Sequence, residues 1–494
     1  QSSDAPAAKT HQCLSQDRTN PIHCVSADFS WKMRSVGLIK NLCLYYHPSD
    51  NIALMDLTLD NSWWNSGALW EDRDLQQVKK SSLSYHPRIF QSDELEPGTV
   101  YTLRGPRRAG KTVSLKLLIA ELIEQQGWPP LSITWSNLET LAGMREMETL
   151  LGSIIQERKP RLLVLDEVTS VVGWQRVIKR AVDAGLLSQC CLILTGSSAY
   201  DLKKGAERMA GRRGTYKAPD RVLLPMDYAQ FCQQLEQKKL TPHPEIYFNV
   251  GGFPFRVEEF LKTQGDLEKM SPSTQVFDDI IAYEFNRRKL DRNIALEVLA
   301  RLATVQAHAI SYDAFAKPLH AATNTVRKYL EALGDAYLLC SLSSFDTGRG
   351  RPAPRKDRKF LWIDPALAHL AAWLNVGERP REDALAEHSV CGHVIRLVEK
   401  QLWEGLSAPR QVFTWKSKAG KEIDLLWVDR TTKKRFPIEV KYQDTISGGD
   451  FLSLESSFGR GILITRKQWL EREKTRGIPI GDFLRAPQQY LNAD

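Results

Sequence analysis

The sequence predicts an α/β chain in which a parallel sheet with flanking helices is followed by a helical segment and then by a second α/β domain. Three observations predict it. Between residues 86 and 235 short apolar strands alternate with helical periods. A glycine-rich run, Gly105-Pro106-Arg107-Arg108-Ala109-Gly110-Lys111-Thr112, joins the first such strand to a helix. Beyond residue 420, Glu422–Val428 and Pro437–Lys441 read as two antiparallel strands joined by the basic hairpin Asp429–Arg435.

In the first domain, Val100–Leu103 alternates as a short strand, and Val113, Leu117, Leu118 and Leu122 recur at helical spacing before Gly127 and Pro129 end the helix. The loop between them has the spacing that wraps a nucleotide triphosphate. Its glycines let the backbone turn N–H groups toward a phosphate, Lys111 reaches the β and γ oxygens, and Thr112 offers a hydroxyl to Mg²⁺. This is a P-loop, with residues 105–112 as the cradle and ATP or GTP with Mg²⁺ as the expected cofactors. The apolar run Leu162–Leu165 ends in Asp166 and Glu167, as a buried strand delivering acids to its C-terminal edge does. Asp166 is the expected Mg²⁺ holder and Glu167 the group that orients the attacking water. A further strand, Cys191–Thr195, runs into Gly196-Ser197-Ser198, and makes Thr195 and Ser197 candidates for contact with the γ-phosphate or the water. In the turn Gly211-Arg212-Arg213-Gly214 one arginine is expected to neutralise transition-state charge in a neighbouring subunit, which would require a homo-oligomer, or to report nucleotide state.

Residues 1–85 show no period and carry scattered tryptophans (Trp31, Trp63, Trp64, Trp70), an extension with no assigned role. Residues 276–345 read mainly as helices. Within them Ser311–Ala316 and Thr323–Leu330 resemble a helix, a turn and a second helix opened by a polar cap, which fits either a winged helix-turn-helix whose Asn324, Thr325, Arg327 and Lys328 project toward DNA or a three-helix spacer packing on the ATPase. In the last segment, 346–494, Asp424 and Glu439 come from adjacent strands and are expected to bind Mg²⁺. Lys441, two residues after Glu439, shares its strand face and is placed to polarise a water. Glu387, on the helical stretch Ala384–Glu399, adds a further carboxylate to that metal set.

Composition frames these readings. With 494 residues, 42% apolar and 26% charged, the chain is ordinary for a globular protein of about three domains, and a chain disordered throughout is excluded. No apolar run approaches the roughly 20 residues a bilayer requires and no charged-then-apolar leader is visible, so a cytoplasmic location without a membrane partner is expected. Eight cysteines without CxxC spacing read as reduced thiols. The net charge of +8 includes a cluster, Arg349, Arg351, Arg355, Lys356, Arg358 and Lys359, interrupted by the single acid Asp357, of a kind that tracks phosphates.

Taken together, these residues resemble the prokaryotic AAA+-related ATPases whose C-terminal region resembles a PD-(D/E)xK nuclease. The resemblance spans roughly residues 86–480. It rests on the loop at 105–112, Leu165-Asp166-Glu167 followed by Trp174 and Ile178-Lys179, and Leu194-Thr195-Gly196-Ser197-Ser198. Ala210-Gly211-Arg212, Leu224-Pro225-Met226, Gly251-Gly252-Phe253-Pro254, and Asp424 with Ile438-Glu439-Val440-Lys441 complete it. It implies ATP rather than GTP and assigns Asp424, Glu439, Lys441 and Glu387 to a nuclease-like core. The expected organisation is an ATPase core (86–235), a helical lid with a winged-helix-like region (236–345) and a nuclease-like domain (346–494). Two functions follow: an ATPase acting on DNA whose last domain cuts or holds it, or a nucleotide-dependent switch with an inert docking domain.

Overall fold

The computed structural model describes residues 57–491 apart from positions 66, 197, 215–218, 273, 400–405, 407–408 and 418–419. Trp31, Ser197, Cys13, Cys24 and Cys43 lie outside the described residues, as does the side chain of Arg355. The first sheet holds β1 (Val100–Arg104), β2 (Ile133–Asn137), β3 (Leu162–Asp166), β4 (Cys191–Thr195) and β5 (Asp220–Val222), in the order β2-β3-β4-β1-β5, with every pairing parallel. Strands covered on both faces must be apolar throughout, which is why Leu162–Leu165 is an unbroken hydrophobic run, buried along its whole length. The parallel order brings the C-terminal ends of β1, β4 and β3 together on one edge, and Leu103 lies opposite Thr195. On that edge the glycine-rich loop leads into helix α1 (Lys111–Glu124).

The outer edge of β2 is closed by the segment before it. Asn61 bonds both backbone groups of Trp135, accepting from its N–H at 2.6 Å and donating to its carbonyl at 2.8 Å. The indoles of Trp63 and Trp64 both donate to the Ile133 carbonyl, at 3.1 and 2.8 Å. Lys116, buried on α1, pairs with Asp72 at 2.7 Å and lies over the rings of Trp63 and Trp135. Unpatterned tryptophans thus cover a sheet edge, a task that imposes no period on the sequence.

The helical segment contains α2 (Thr274–Arg287), α3 (Arg292–Val305), α4 (Tyr312–Ala316) and α5 (Thr323–Asp335). Ser311 caps α4, its hydroxyl accepting from the Ala314 N–H. The expected polar cap on α5 is absent, because Ala322 holds that position; the Thr323 hydroxyl instead donates to Asp313 at 2.6 Å and ties the two helices together. A hairpin of β6 (Leu339–Asp346) and β7 (Arg351–Trp362) follows directly, and Ile310 pairs with Arg358 beside it.

That hairpin is also the edge of the second sheet. Its other strands are β8 (Val412–Lys416), β9 (Glu422–Val428), β10 (Arg435–Lys441), β11 (Gly461–Thr465), β12 (Leu470–Glu471) and β13 (Thr475–Pro479), in the order β12-β13-β11-β10-β9-β8-β6-β7. Strands β9 and β10 are antiparallel, with Arg435 opposite Val428. Helix α6 (Glu382–Val398) packs against β7 and β10. One apolar core runs from Leu224 to Leu491 and so serves the helical segment and the second sheet together. Among the described residues no helix is long and apolar enough to cross a membrane.

Candidate functional site

The loop's geometry follows from its glycines. Gly105 has φ +142°, and a Cβ there would lie 2.0 Å from the Leu223 carbonyl oxygen, so no other residue fits. Gly110 has φ +93° and turns the chain into α1. Lys111, at the first position of that helix, is buried and donates to the carbonyls of Gly105 and Pro106, both at 3.0 Å. Burial lowers its ammonium below the ordinary value, against the opposing pull of Glu167, Asp166 and Glu284. The Thr112 hydroxyl donates to Asp166 at 2.8 Å. Burial, reinforced by the neighbouring Glu167, raises the Asp166 carboxyl to about 6. Glu167 follows with φ +53°, a left-handed backbone conformation that non-glycine residues adopt at a cost and that often marks functional turns. Thr195 is fully buried, and its hydroxyl has no hydrogen-bond partner among the described residues.

These groups fit a nucleotide with Mg²⁺. A hydroxyl and a carboxylate stand side by side as oxygen ligands, backbone N–H groups open at a helix N-terminus, and a buried hydroxyl at the end of β4 still needs a partner.

The arginine turn is elsewhere. Arg213 is buried, with its guanidinium donating to the Val100 carbonyl at 3.0 Å and to Asp220 at 2.8 Å. Val100 opens β1, so this is the sheet edge opposite the loop. Arg212 bonds Asp183, the last residue of the helix Trp174–Asp183, at 2.7 Å. Both arginines have carboxylate partners that hold them at the edge away from their own chain's loop, so the expected role of Arg212 is one toward a neighbouring subunit.

Helix α2 supplies what the sequence reading missed. Arg107 of the loop lies 3.8 Å above the Tyr283 ring, and Arg287 donates to the Thr169 carbonyl at 2.9 Å and to Asp201 at 2.7 Å. Between them Glu284 is 3% exposed. A carboxylate in line with Phe277 and Ile281 on the buried face of a helix was the available signal. The Gly251-Gly252-Phe253-Pro254 motif closes the same side. The Gly252 N–H donates to buried Asp364 at 2.7 Å, a Cβ on Gly252 would lie 1.9 Å from the Met226 carbonyl oxygen, and Pro254 comes within 3.9 Å of the Cβ position of Gly110.

Burial raises the Glu284 carboxyl to about 7, although Arg288, Arg287, Lys111 and Arg107 all pull it down. Between the ordinary value of 4.5 and about 7 the folded chain holds a proton that the unfolded chain has released. The associated stability is fully present below that window and declines as pH rises through it, by on the order of 3 kcal/mol. Glu284→Gln removes this loss. In denaturant titrations the variant is expected to gain on the native chain from pH 5 to pH 8; a difference that stays flat with pH counts against a buried ionising carboxyl.

With this geometry in place, the chain was compared with known proteins. Residues 98–232 match the family model described as AAA domain. The five-stranded parallel sheet with its flanking helices and glycine-rich loop has the P-loop NTPase fold. Residues 243–379 match a model described only as a domain of unknown function, which spans the helical segment and the β6–β7 hairpin. An uncharacterized protein of Methanocaldococcus jannaschii is 25% identical over 270 residues, 51% of this chain; the chain spans 58% of the length of that relative. Among solved structures, a Walker-type ATPase of Pyrococcus abyssi is 15% identical with a TM-score of 0.37, covering 61% of this chain and 95% of its own. The ORC2 protein of Aeropyrum pernix, solved with ADPNP and ADP, is 12% identical with a TM-score of 0.37, covering 59% and 95%.

Outside the ATPase domain, the structure gathers Glu387, Asp424, Glu439 and Lys441 as expected, but adds a fifth member. Lys359 of β7, 3% exposed, donates to Glu387 at 2.6 Å and to Asp424 at 2.7 Å. Asp424 also accepts from the Val440 N–H at 2.9 Å, and Lys441 pairs with Glu439 at 2.9 Å. Burial, then the charge of Asp424, raises Glu387 to about 8 and Glu439 to about 7. Burial alone would lower the Lys359 ammonium, but Asp424 and Glu387 outweigh it and hold it above its ordinary value. Among the described residues no group of three His, Cys, Asp or Glu side chains is arranged to hold a metal. Within the expected Mg²⁺ set of Glu387, Asp424 and Glu439, the Lys359 ammonium stands between the first two members.

Proposed function

We propose that this chain is a Mg–ATP-dependent ATPase that uses nucleotide state to set its grip on DNA. One observation carries the reading: consecutive arginines join the two ends. Arg287 is bonded to Thr169, just beyond Glu167, while Arg288 bonds Asp335, the last residue of α5, at 3.2 Å. In the ATPase domain Lys111 holds the phosphates, Glu167 orients the attacking water and Thr195 contacts the γ-phosphate or that water. Thr112 and Asp166 would hold Mg²⁺, which supplies charge neutralisation at the phosphates when bound.

The DNA side is α3 to α5 followed by the β6–β7 hairpin. Three helices, a short pairing at Ile310 and a hairpin form the order of a winged helix, and this order supports the assignment. Asn324, Arg327 and Lys328 are exposed on α5 and Thr325 is half-buried; Arg349, Arg351 and Lys356 are exposed on or beside the hairpin.

Fluorescence anisotropy on labelled duplex tests the reading. DNA affinity is expected to differ by at least about fivefold between nucleotide-free protein and protein with a non-hydrolysable ATP analogue, and to fall as salt rises. Arg288→Ala should keep both binding events and lose the difference between them. Absence of DNA binding in every nucleotide state would sink the proposal.

A further inference from the structure

We infer that Lys359 is a tethered cation standing where a divalent metal would sit between Glu387 and Asp424, so that the nuclease-like core is a metal-free carboxylate–lysine cluster that holds its fold without cutting DNA. The inference rests on the reading of DNA as the partner only for what the domain does not cut; the cluster itself stands on its own geometry.

Three features argue for it. Nζ of Lys359 lies 2.6 and 2.7 Å from one oxygen of each carboxylate, bridging a side chain of helix α6 and one of strand β9. The second oxygen of Asp424 also accepts from the Val440 N–H, and one oxygen of Glu439 is held by Lys441, so at least one oxygen of each of the three carboxylates is already directed at a protein donor. Charge gives the same answer. Three carboxylates (Glu387, Asp424, Glu439) face one ammonium if only Lys441 is counted, leaving two negative charges for a metal to balance; Lys359 brings the ammoniums to two, and one proton or a distant basic group completes the balance. A divalent ion arriving there would have to push a buried ammonium out of two short ion pairs into space enclosed by β7 and α6.

Lysine is suited to this as a compact point charge on a long stem, and its backbone location matters. Lys359 lies in β7, where Leu342 is its partner across the hairpin, so the strand that contributes exposed Arg351 and Lys356 also supplies the buried ammonium. The cluster therefore adds a charged tie between the hairpin and the second sheet, beside the Ser344–Thr414 pairing and the packing of Phe345 on Phe413.

The test uses the full chain without nucleotide and Mn²⁺ as the probe, read by the loss of free-ion electron paramagnetic resonance signal. The native chain is expected to show no Mn²⁺ uptake that Asp424→Asn abolishes, and no Asp424-dependent cleavage of labelled DNA in Mg²⁺ or Mn²⁺. Lys359→Met removes the charge while keeping the stem; it should gain one Mn²⁺ per chain, bound at least about tenfold more tightly than by the native chain, and lose it again when combined with Asp424→Asn. Native protein that takes up Mn²⁺ through Asp424, or cuts DNA through it, overturns the inference, as does a folded Lys359→Met chain that gains no site. If Lys359→Met does not fold, the comparison of native chain with Asp424→Asn still decides. Failure of DNA binding in the anisotropy experiment would remove the proposed partner without altering any of these metal outcomes.

Discussion

Replacing Lys111 by alanine will lower ATP affinity by at least about 100-fold and remove turnover, while leaving the fold intact. The lysine now spends its donors on two carbonyls of its own loop, at 3.0 Å each, and burial already depresses its charge. Removing it therefore relieves a desolvated ammonium and costs only two neutral acceptors, so thermal stability without ligand should hold or rise slightly. Phosphate binding loses two charge-assisted contacts at about 1.5–3 kcal/mol each, which is where the expected factor comes from. Calorimetry with a non-hydrolysable analogue measures the affinity, and phosphate release measures turnover. Turnover preserved in Lys111→Ala would place the nucleotide somewhere other than the 105–112 loop.

Glu167→Gln should give the opposite signature: binding kept, turnover reduced by about 10²–10⁴-fold. Glutamine has the same shape and can occupy the left-handed backbone position no worse than glutamate, but it cannot take or strongly orient the proton of an attacking water. The protein should then hold ATP, and the anisotropy experiment could be repeated on that trapped state with natural nucleotide. Affinity and turnover separate the two variants cleanly. A Glu167→Gln chain turning over within about threefold of the native rate would move the water-orienting role to another group.

How much of this was legible in the sequence depended on how local the determinant is. The loop at 105–112 and the Asp166-Glu167 strand end are short contiguous runs whose chemistry is written in adjacent residues, and the structure brings Thr112 and Asp166 within hydrogen-bond distance. The β9–β10 pairing was equally readable because alternation and a hairpin carry it. The in-chain position of Arg212 was not legible, because a Gly-Arg-Arg-Gly turn does not disclose which sheet edge it reaches; its partner Asp183 is distant in sequence and visible only in the fold. Lys359 was counted with surface charge because it follows Lys356 and Arg358, although it also begins the apolar run Lys359-Phe360-Leu361-Trp362, where an inward lysine demands buried acids. Glu284 gave a similar signal, an acid on an apolar helix face, and its partners on the loop lie far back in the chain.

The capping of β2 has a practical consequence for how the molecule can be divided. A fragment cut at residue 86, where the strand–helix alternation starts, would lack Asn61, Trp63 and Trp64 and would present the free N–H and carbonyl of Trp135 and the Ile133 carbonyl along an exposed strand. Such a strand is a template for another chain, so the shortened ATPase domain would tend toward intermolecular strand pairing and precipitation. The tryptophan-rich stretch before the loop thus acts as a built-in guard against self-association, and a soluble ATPase fragment has to begin before Asn61.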